Sequence, residues 1–291
     1  MYKQPQKQFF QLQSDELTDL LKQMKFQIND FGLWESQESK KMSFITSDIE
    51  IVYYIKGGSS TSIGDKKYQC PPGSILILEP FQLNVSDNRD YEECSYYYFH
   101  FDIEPVYLKQ QFFKLLTKHG NVIYPDEIRN FEDMLSRLQN EVENKEIGYV
   151  SMITSALMRV VIEIMRAQLK RGEDIPIEKV RSSQIRLIND SVNYIQDHFF
   201  ETVRLRDLTR ELGVSNGALY KAFMNILGVP PGTYIHQQKI QYVQKKLLAG
   251  ETLTNIAQEA GFCSPYHLSK AFKQMTGLTP KQYRQSMKMM K

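Results

Sequence analysis

The chain has 291 residues, of which 42% are apolar and 24% charged, and a formal net charge of +2; it is long enough for two domains and can bury a proper core. It has no apolar run long enough to cross a bilayer, and its Gln- and Lys-rich start lacks a signal core, so neither a membrane partner nor export is expected. Cys70, Cys94 and Cys263 form no CxxC or Cys/His cluster, which argues against a disulfide framework or a structural zinc and favours a reducing cytoplasm.

Residues 26–104 read as β-structure. "IEIVYYI" (Ile49–Ile55), "SILILEP" (Ser74–Pro80) and "CSYYYFHFDI" (Cys94–Ile103) are rich in β-branched and aromatic residues. Turn chemistry separates them, as at Gly57-Gly58, Gly64-Asp65 and Pro71-Pro72-Gly73. Such spacing suggests a small barrel or sandwich. Alternation puts Tyr96, Tyr98, His100 and Asp102 on one strand face and Tyr97, Phe99 and Phe101 on the other. Which face points inward is open at this level. An aromatic surface with a few polar groups suits a sugar or a small amphipathic ligand, which makes Tyr96, Tyr98 and His100 candidate effector-pocket residues.

Beyond Pro105 the period changes to helical, through "PVYLKQQFFKLLTKHG" and "DEIRNFEDMLSRLQNEVENK". In "YVSMITSALMRVVIEIMRAQLK", Val150, Ile153, Leu157, Val160, Ile164 and Leu169 form an apolar stripe. That stripe can pack on the β-structure or form a dimer interface. Arg171–Ser183 is polar, holds Gly and Pro, and reads as an interdomain linker.

The remaining residues are helical by pattern and contain a repeat. Leu205, Leu208, Leu212 and Gly213 recur 48 residues later as Leu253, Ile256, Ala260 and Gly261. Ser215, Leu219, Lys221, Ala222, Phe223, Gly228, Pro231 and Tyr234 recur 49 later as Ser264, Leu268, Lys270, Ala271, Phe272, Gly277, Pro280 and Tyr283. The extra residue falls near Cys263, in the turn, so one structural unit is used twice. Each unit reads as a short helix, a glycine turn, and a serine-capped second helix burying Leu219 and Phe223 or Leu268 and Phe272. That is a helix-turn-helix. The linking stretch "TYIHQQKIQYVQKKLLAG" reads as one helix of roughly 25 Å. It can hold two reading helices near the ~34 Å repeat of the duplex. From Arg181 onward there are 15 Lys/Arg and 7 Asp/Glu, a net +8, against −6 for the preceding residues. A basic domain suits double-stranded DNA.

"IAQEAGFCSPYHLSKAFKQMTGLTPKQYR" resembles the signature of the AraC family of bacterial transcription regulators. "CPPGSILILEP" and "YYYFHF" carry a looser resemblance to the family's cupin-like effector barrel. The resemblance implies an α+β protein of two domains and a linker. Residues 1–170 would be a cupin-like β-barrel with dimerisation helices, 171–183 a linker, and 184–291 an all-α domain with two helix-turn-helix motifs. It implies a cytoplasmic homodimer, usually an activator, that responds to a small molecule such as a sugar and works with RNA polymerase. Metal-dependent cupins need a His-x-His pair. Here only His100 lies in the strands, and "EPFQLNVS" offers Phe81-Gln82-Leu83 where barrel relatives often place His. With no metal spacing, GxSxG or phosphate-cradling loop, the chain reads as a non-enzyme without metal or cofactor. A regulator without any ligand remains an alternative.

The candidate base-reading residues stand near the start of each second helix: Asn216, Gly217, Tyr220 and Lys221, then Pro265, Tyr266, His267 and Lys270. The family's base-contacting positions align with both sets. Lys221 and Lys270 stand where the family often has Arg. Lysine lacks the planar fork for guanine, so they either contact phosphate or read guanine weakly. His267 either bonds a base edge or is solvated. Gly217-Ala218 offers little side chain, so the second unit is expected to carry more sequence information. Ser215, Thr254, Ser264, Lys281 and Arg284 are candidate phosphate contacts.

Overall fold

Alternating side chains in the strands sort into two apolar cores in the computed structural model, which describes residues 16–169, 182–201 and 203–289. A short helix, α1 (Glu16–Lys22), precedes β1 (Lys25–Ser36), β2 (Lys41–Ile45), β3 (Ile49–Lys56) and β4 (Ser59–Ile63). Then come β5 (Lys66–Cys70), β6 (Ile75–Leu78), β7 (Leu83–Asp87), β8 (Cys94–Glu104) and, later, the two-residue β9 (Val122–Ile123). They form two antiparallel sheets in the orders β1-β8-β3-β6-β9 and β2-β7-β4-β5.

The expected barrel is not closed. No ladder joins the two sheets among the described residues. β9 lies against β5, but two residues are too few to carry hydrogen bonding from one sheet into the other.

Both faces of β8 are inward, each toward a different layer. Tyr97, Phe99 and Phe101 join Ile51 and Ile77 in a core covered by helices. Tyr96 and Tyr98 pack with Trp34, Val52, Tyr54 and Leu76 between the sheets. The covering helices are α2 (Lys109–Leu116), α3 (Glu132–Glu143) and α4 (Tyr149–Gln168). The α4 stripe is therefore core: Leu157 and Ile164 are both 0% exposed within the single chain. A five-stranded sheet with two apolar faces needs that cover, the first of the two roles expected for the stripe. Val150, expected on the stripe, is exposed instead.

The expected linker, residues 171–183, lies outside the described residues except for Ser182 and Ser183, which open α5 (Ser182–Asp197). Then follow α6 (Leu205–Glu211), α7 (Asn216–Leu227), α8 (Pro231–Leu248), α9 (Leu253–Glu259), α10 (Pro265–Thr276) and α11 (Pro280–Met289). Tyr234 and Ile235 of α8 belong to a core with Leu208, Leu219 and Phe223. Ile240, Val243 and Leu247 belong to a second, with Ile256, Leu268, Phe272 and Tyr283. One helix thus serves both copies of the repeat.

Candidate nucleic-acid interface and ligand cavity

Each copy of the repeat folds as two helices joined through a left-handed residue that only glycine adopts cheaply. Gly213 has φ +62° and Gly261 φ +68°. The turn between α9 and α10 is one residue longer than that between α6 and α7, which accounts for the change in repeat offset. Ser215 Oγ accepts from the Ala218 N–H at 3.2 Å, and Ser264 Oγ from the His267 N–H at 3.1 Å. Each serine satisfies an orphan donor and fixes where its second helix begins.

The candidate reading residues lie on the outside of those helices. Asn216, Gly217, Tyr220, Lys221, Tyr266, His267 and Lys270 are exposed, Tyr266 most of all at 80%, and Pro265 is half-buried in the first helical turn. Behind them Leu219, Phe223, Leu268 and Phe272 are fully buried. The His267 ring is oriented by its neighbours: Nδ1 lies 3.1 Å from Cys263 Sγ, and the ring meets Phe262 edge-on. With Nδ1 so engaged, Nε2 is the ring nitrogen left for another partner.

The candidate phosphate contacts differ among themselves. Thr254 and Lys281 are exposed, while Ser215 and Ser264 act as caps. Arg284 is engaged inside the domain: Nε donates to Leu247 O at 3.1 Å and Nη2 to Glu251 O at 2.5 Å. Its fork ties α11 to the end of α8.

A cavity of about 230 Å³ opens where the sheets meet the C-terminal helices. Tyr96, Tyr98 and His100 line it from β8, while Lys245 and Leu248 of α8 and Tyr283 of α11 line it from the other side. Sequence reasoning missed Trp34, Asp48 and Glu50 in its wall. The available signal was Glu50 itself, an acid between Ile49 and Ile51 on a strand that is otherwise apolar. Asp102, on the same strand face as His100, pairs instead with Lys109 of α2.

The polar wall is a connected network. Asp48 Oδ1 lies 2.8 Å from His100 Nδ1, and Asp48 Oδ2 accepts from Asn29 Nδ2 at 2.7 Å. Asn29 sits at a register shift in β1, between Ile28 and Asp30, and such a bulge re-aims a side chain. Glu50 Oε1 is 3.6 Å from His100 Nε2. Burial alone would pull the His100 imidazole down, but Glu50 and Asp48 outweigh it and push it up to about 9, so the ring is a cation at neutral pH. Burial pushes the Glu50 carboxyl up and the Tyr98 phenol up to about 12. Trp34 stacks on Tyr96, their ring centres 4.8 Å apart. Among the described residues no group of three or more His, Cys, Asp or Glu is placed to hold a metal ion. No helix among them is long and apolar enough to cross a membrane. The site can bind and orient a small molecule between buried charges and aromatic faces.

Residues 208–286, which span both copies of the repeat, match a family described as a helix-turn-helix domain. The chain is 23% identical over 258 residues to the HTH-type transcriptional regulator YisR of Bacillus subtilis (strain 168), covering 82% of this chain and 86% of that protein. It is 37% identical over 223 residues to an HTH-type transcriptional regulator of Staphylococcus aureus (strain MSSA476), covering 75% of this chain. It spans only 26% of that longer relative, and 31% of another from strain COL. In fold it is similar to ToxT of Vibrio cholerae O395, with a TM-score of 0.55 at 14% identity over 90% of this chain and 97% of that one. Other ToxT structures hold an unsaturated fatty acid or (E)-4-(8-methylnaphthalen-1-yl)but-3-enoic acid. The repeated helical unit and these relatives identify residues 208–286 as a helix-turn-helix domain similar to those of transcriptional regulators, and the signature over residues 256–284 resembles that of the AraC family.

Proposed function

We propose that α7 and α10 enter successive major grooves of duplex DNA, and that a small molecule in the cavity at β8 controls how they do so. The observation that carries this reading is the shared lining of the cavity. Tyr96, Tyr98 and His100 come from the sheets, while Lys245, Leu248 and Tyr283 come from the helices that hold the second DNA-reading unit. A ligand touching both sides has different contacts whenever the two sides move, and differential affinity is what shifts a conformational equilibrium. ToxT, which shares the fold, is seen with small organic acids bound, and this supports a ligand-responsive protein.

In this reading residues 1–170 are a cupin-like effector and dimerisation module and residues 184–291 the DNA-binding domain. Asn216, Tyr220, Lys221, Tyr266, His267 and Lys270 meet base edges, with Thr254 and Lys281 on phosphates. The family resemblance supports a homodimer that activates transcription through RNA polymerase. Exposed Ile147, Val150 and Met152, at the start of α4, support a subunit contact there.

The test is DNA-binding anisotropy of the full chain on selected sites, with and without a metabolite library. The expected result is salt-sensitive DNA binding whose affinity changes with at least one small molecule. Salt-independent binding would refute the DNA half of the proposal, and no response in a chain shown to bind DNA would refute the effector half.

A further inference from the structure

The cavity's chemistry points to one class of occupant. Glu50 is 4% exposed and lines the cavity, and among the described residues no group donates a hydrogen bond to its carboxylate. Its nearest cation, His100 Nε2, stands at 3.6 Å, and the other nitrogen of that ring is committed to Asp48. A buried carboxylate so placed lacks donors, and a ligand can supply them. Asp30 adds a third carboxylate to the wall, against one half-buried cation, His100, and one exposed lysine, Lys245. Trp34, Phe44, Tyr96 and Tyr98 contribute aromatic faces, which attract cations as well as apolar bodies. The organic acids found in ToxT carry the wrong sign for this wall.

We propose that the cavity binds an organic cation with N–H donors, a protonated amine or guanidine on an apolar body, whose nitrogen bonds Glu50 while its body lies against Trp34 and Tyr96. This rests on the reading of the cavity as an effector site. Burial pushes the Glu50 carboxyl up, and an N–H cation bonded to it favours the ionised form. Binding therefore weakens where acid protonates Glu50 and tightens as the pH rises out of that range. Asp30, Asp48, His100, Tyr96, Tyr98 and Lys245 are the other titratable groups lining the cavity, and His100 stays a cation over that range.

The experiment is calorimetry on the full chain with phenethylamine, tyramine, tryptamine and agmatine. Each amine is paired with a carboxylic acid of matched size, and glucose and arabinose serve as polyol controls. We expect at least one amine to bind at least about tenfold more tightly than its acid and than either sugar, as one charge-assisted hydrogen bond implies. Its affinity should fall on acidification, and Glu50→Gln should weaken it at least about tenfold while the thermal melt remains cooperative. Should Glu50→Gln fail to fold, Asp30→Asn, at an exposed position on the same wall, should weaken the amine in its place. Tighter binding of an acid or sugar, absence of amine binding, or amine binding indifferent to the folded variant overturns the proposal. DNA anisotropy in the same samples separates it from the effector reading. An amine that binds through Glu50 without changing DNA affinity sinks the effector reading alone, whereas an acid or sugar that changes DNA affinity sinks the ligand class alone.

Discussion

The Lys239 ammonium lies 2.9 Å from the carbonyl oxygen of Ala260, the last residue before the glycine turn of the second unit. It also donates to Glu201 O at 3.2 Å and sits over the Phe262 ring. A cation at the C-terminus of α9 satisfies orphan carbonyls and complements the helix dipole. It also spans the reading turn and the segment before α6.

Lys239→Met should therefore destabilise the chain by about 1–3 kcal/mol, because two carbonyls lose a charged donor. It should also lower DNA affinity, although Lys239 is 8% exposed and cannot itself reach a duplex. Chemical denaturation alongside anisotropy checks this; unchanged stability would contradict it.

Gly261→Ala should cost more than Gly217→Ala. Gly261 has φ +68°, and an added Cβ would stand 3.2 Å from Lys239 Nζ. Gly217 lies in α7, where alanine is the better helix former by about 1 kcal/mol. Opposite signs of the change in melting temperature are expected.

Base preference should follow the second unit. Tyr266→Ala or His267→Ala should relax preference in one half of the site by about 1–3 kcal/mol. Lys281→Ala should weaken all sequences alike and reduce the salt dependence. Arg284→Ala should behave differently, costing roughly 2 kcal/mol of stability before any effect on DNA, because its fork holds two carbonyls. Site selection with each variant, beside its melt, discriminates the two effects.

His100 should titrate near 9 by nuclear magnetic resonance, against an ordinary value of 6.5. The raised value means that its contribution to stability is complete below about pH 6.5 and fades as the pH climbs through about 9. Asp48→Asn should move the titration down. An imidazole that titrates at its ordinary value would refute the network.

The repeat was legible in the sequence because its serines, glycines and buried leucine and phenylalanine positions act locally, through caps and helix periodicity. The β-region was legible as strands, but not as two separate sheets. Closure needs strand bonding at both seams, β9 to β5 and β1 to β2, and the two residues of β9, Val122 and Ile123, leave no periodic trace. The stripe of α4 was visible, yet its destination was not. Leu157 faces the sheet, and the same pattern serves a dimer or a core; Leu157→Glu is thus expected to unfold the chain, by more than about 4 kcal/mol, rather than to dissociate a dimer. Tyr96, Tyr98 and His100 were singled out from alternation alone. Asp48, Glu50 and Tyr283 were not, because their shared cavity is made by residues far apart in the chain.

Helix α8 gives its first apolar residues to one core and its last to the other. Neither copy of the repeat can then come apart by itself, since each would strip a segment of the same helix from its neighbours. The backbone amides around Ile240 and Val243 should exchange with deuterium only when both copies open together, and a chain cut after Gly250 should refold poorly with that half of the helix bare. What looks in the sequence like a modular pair is, in its opening energetics, a single indivisible body.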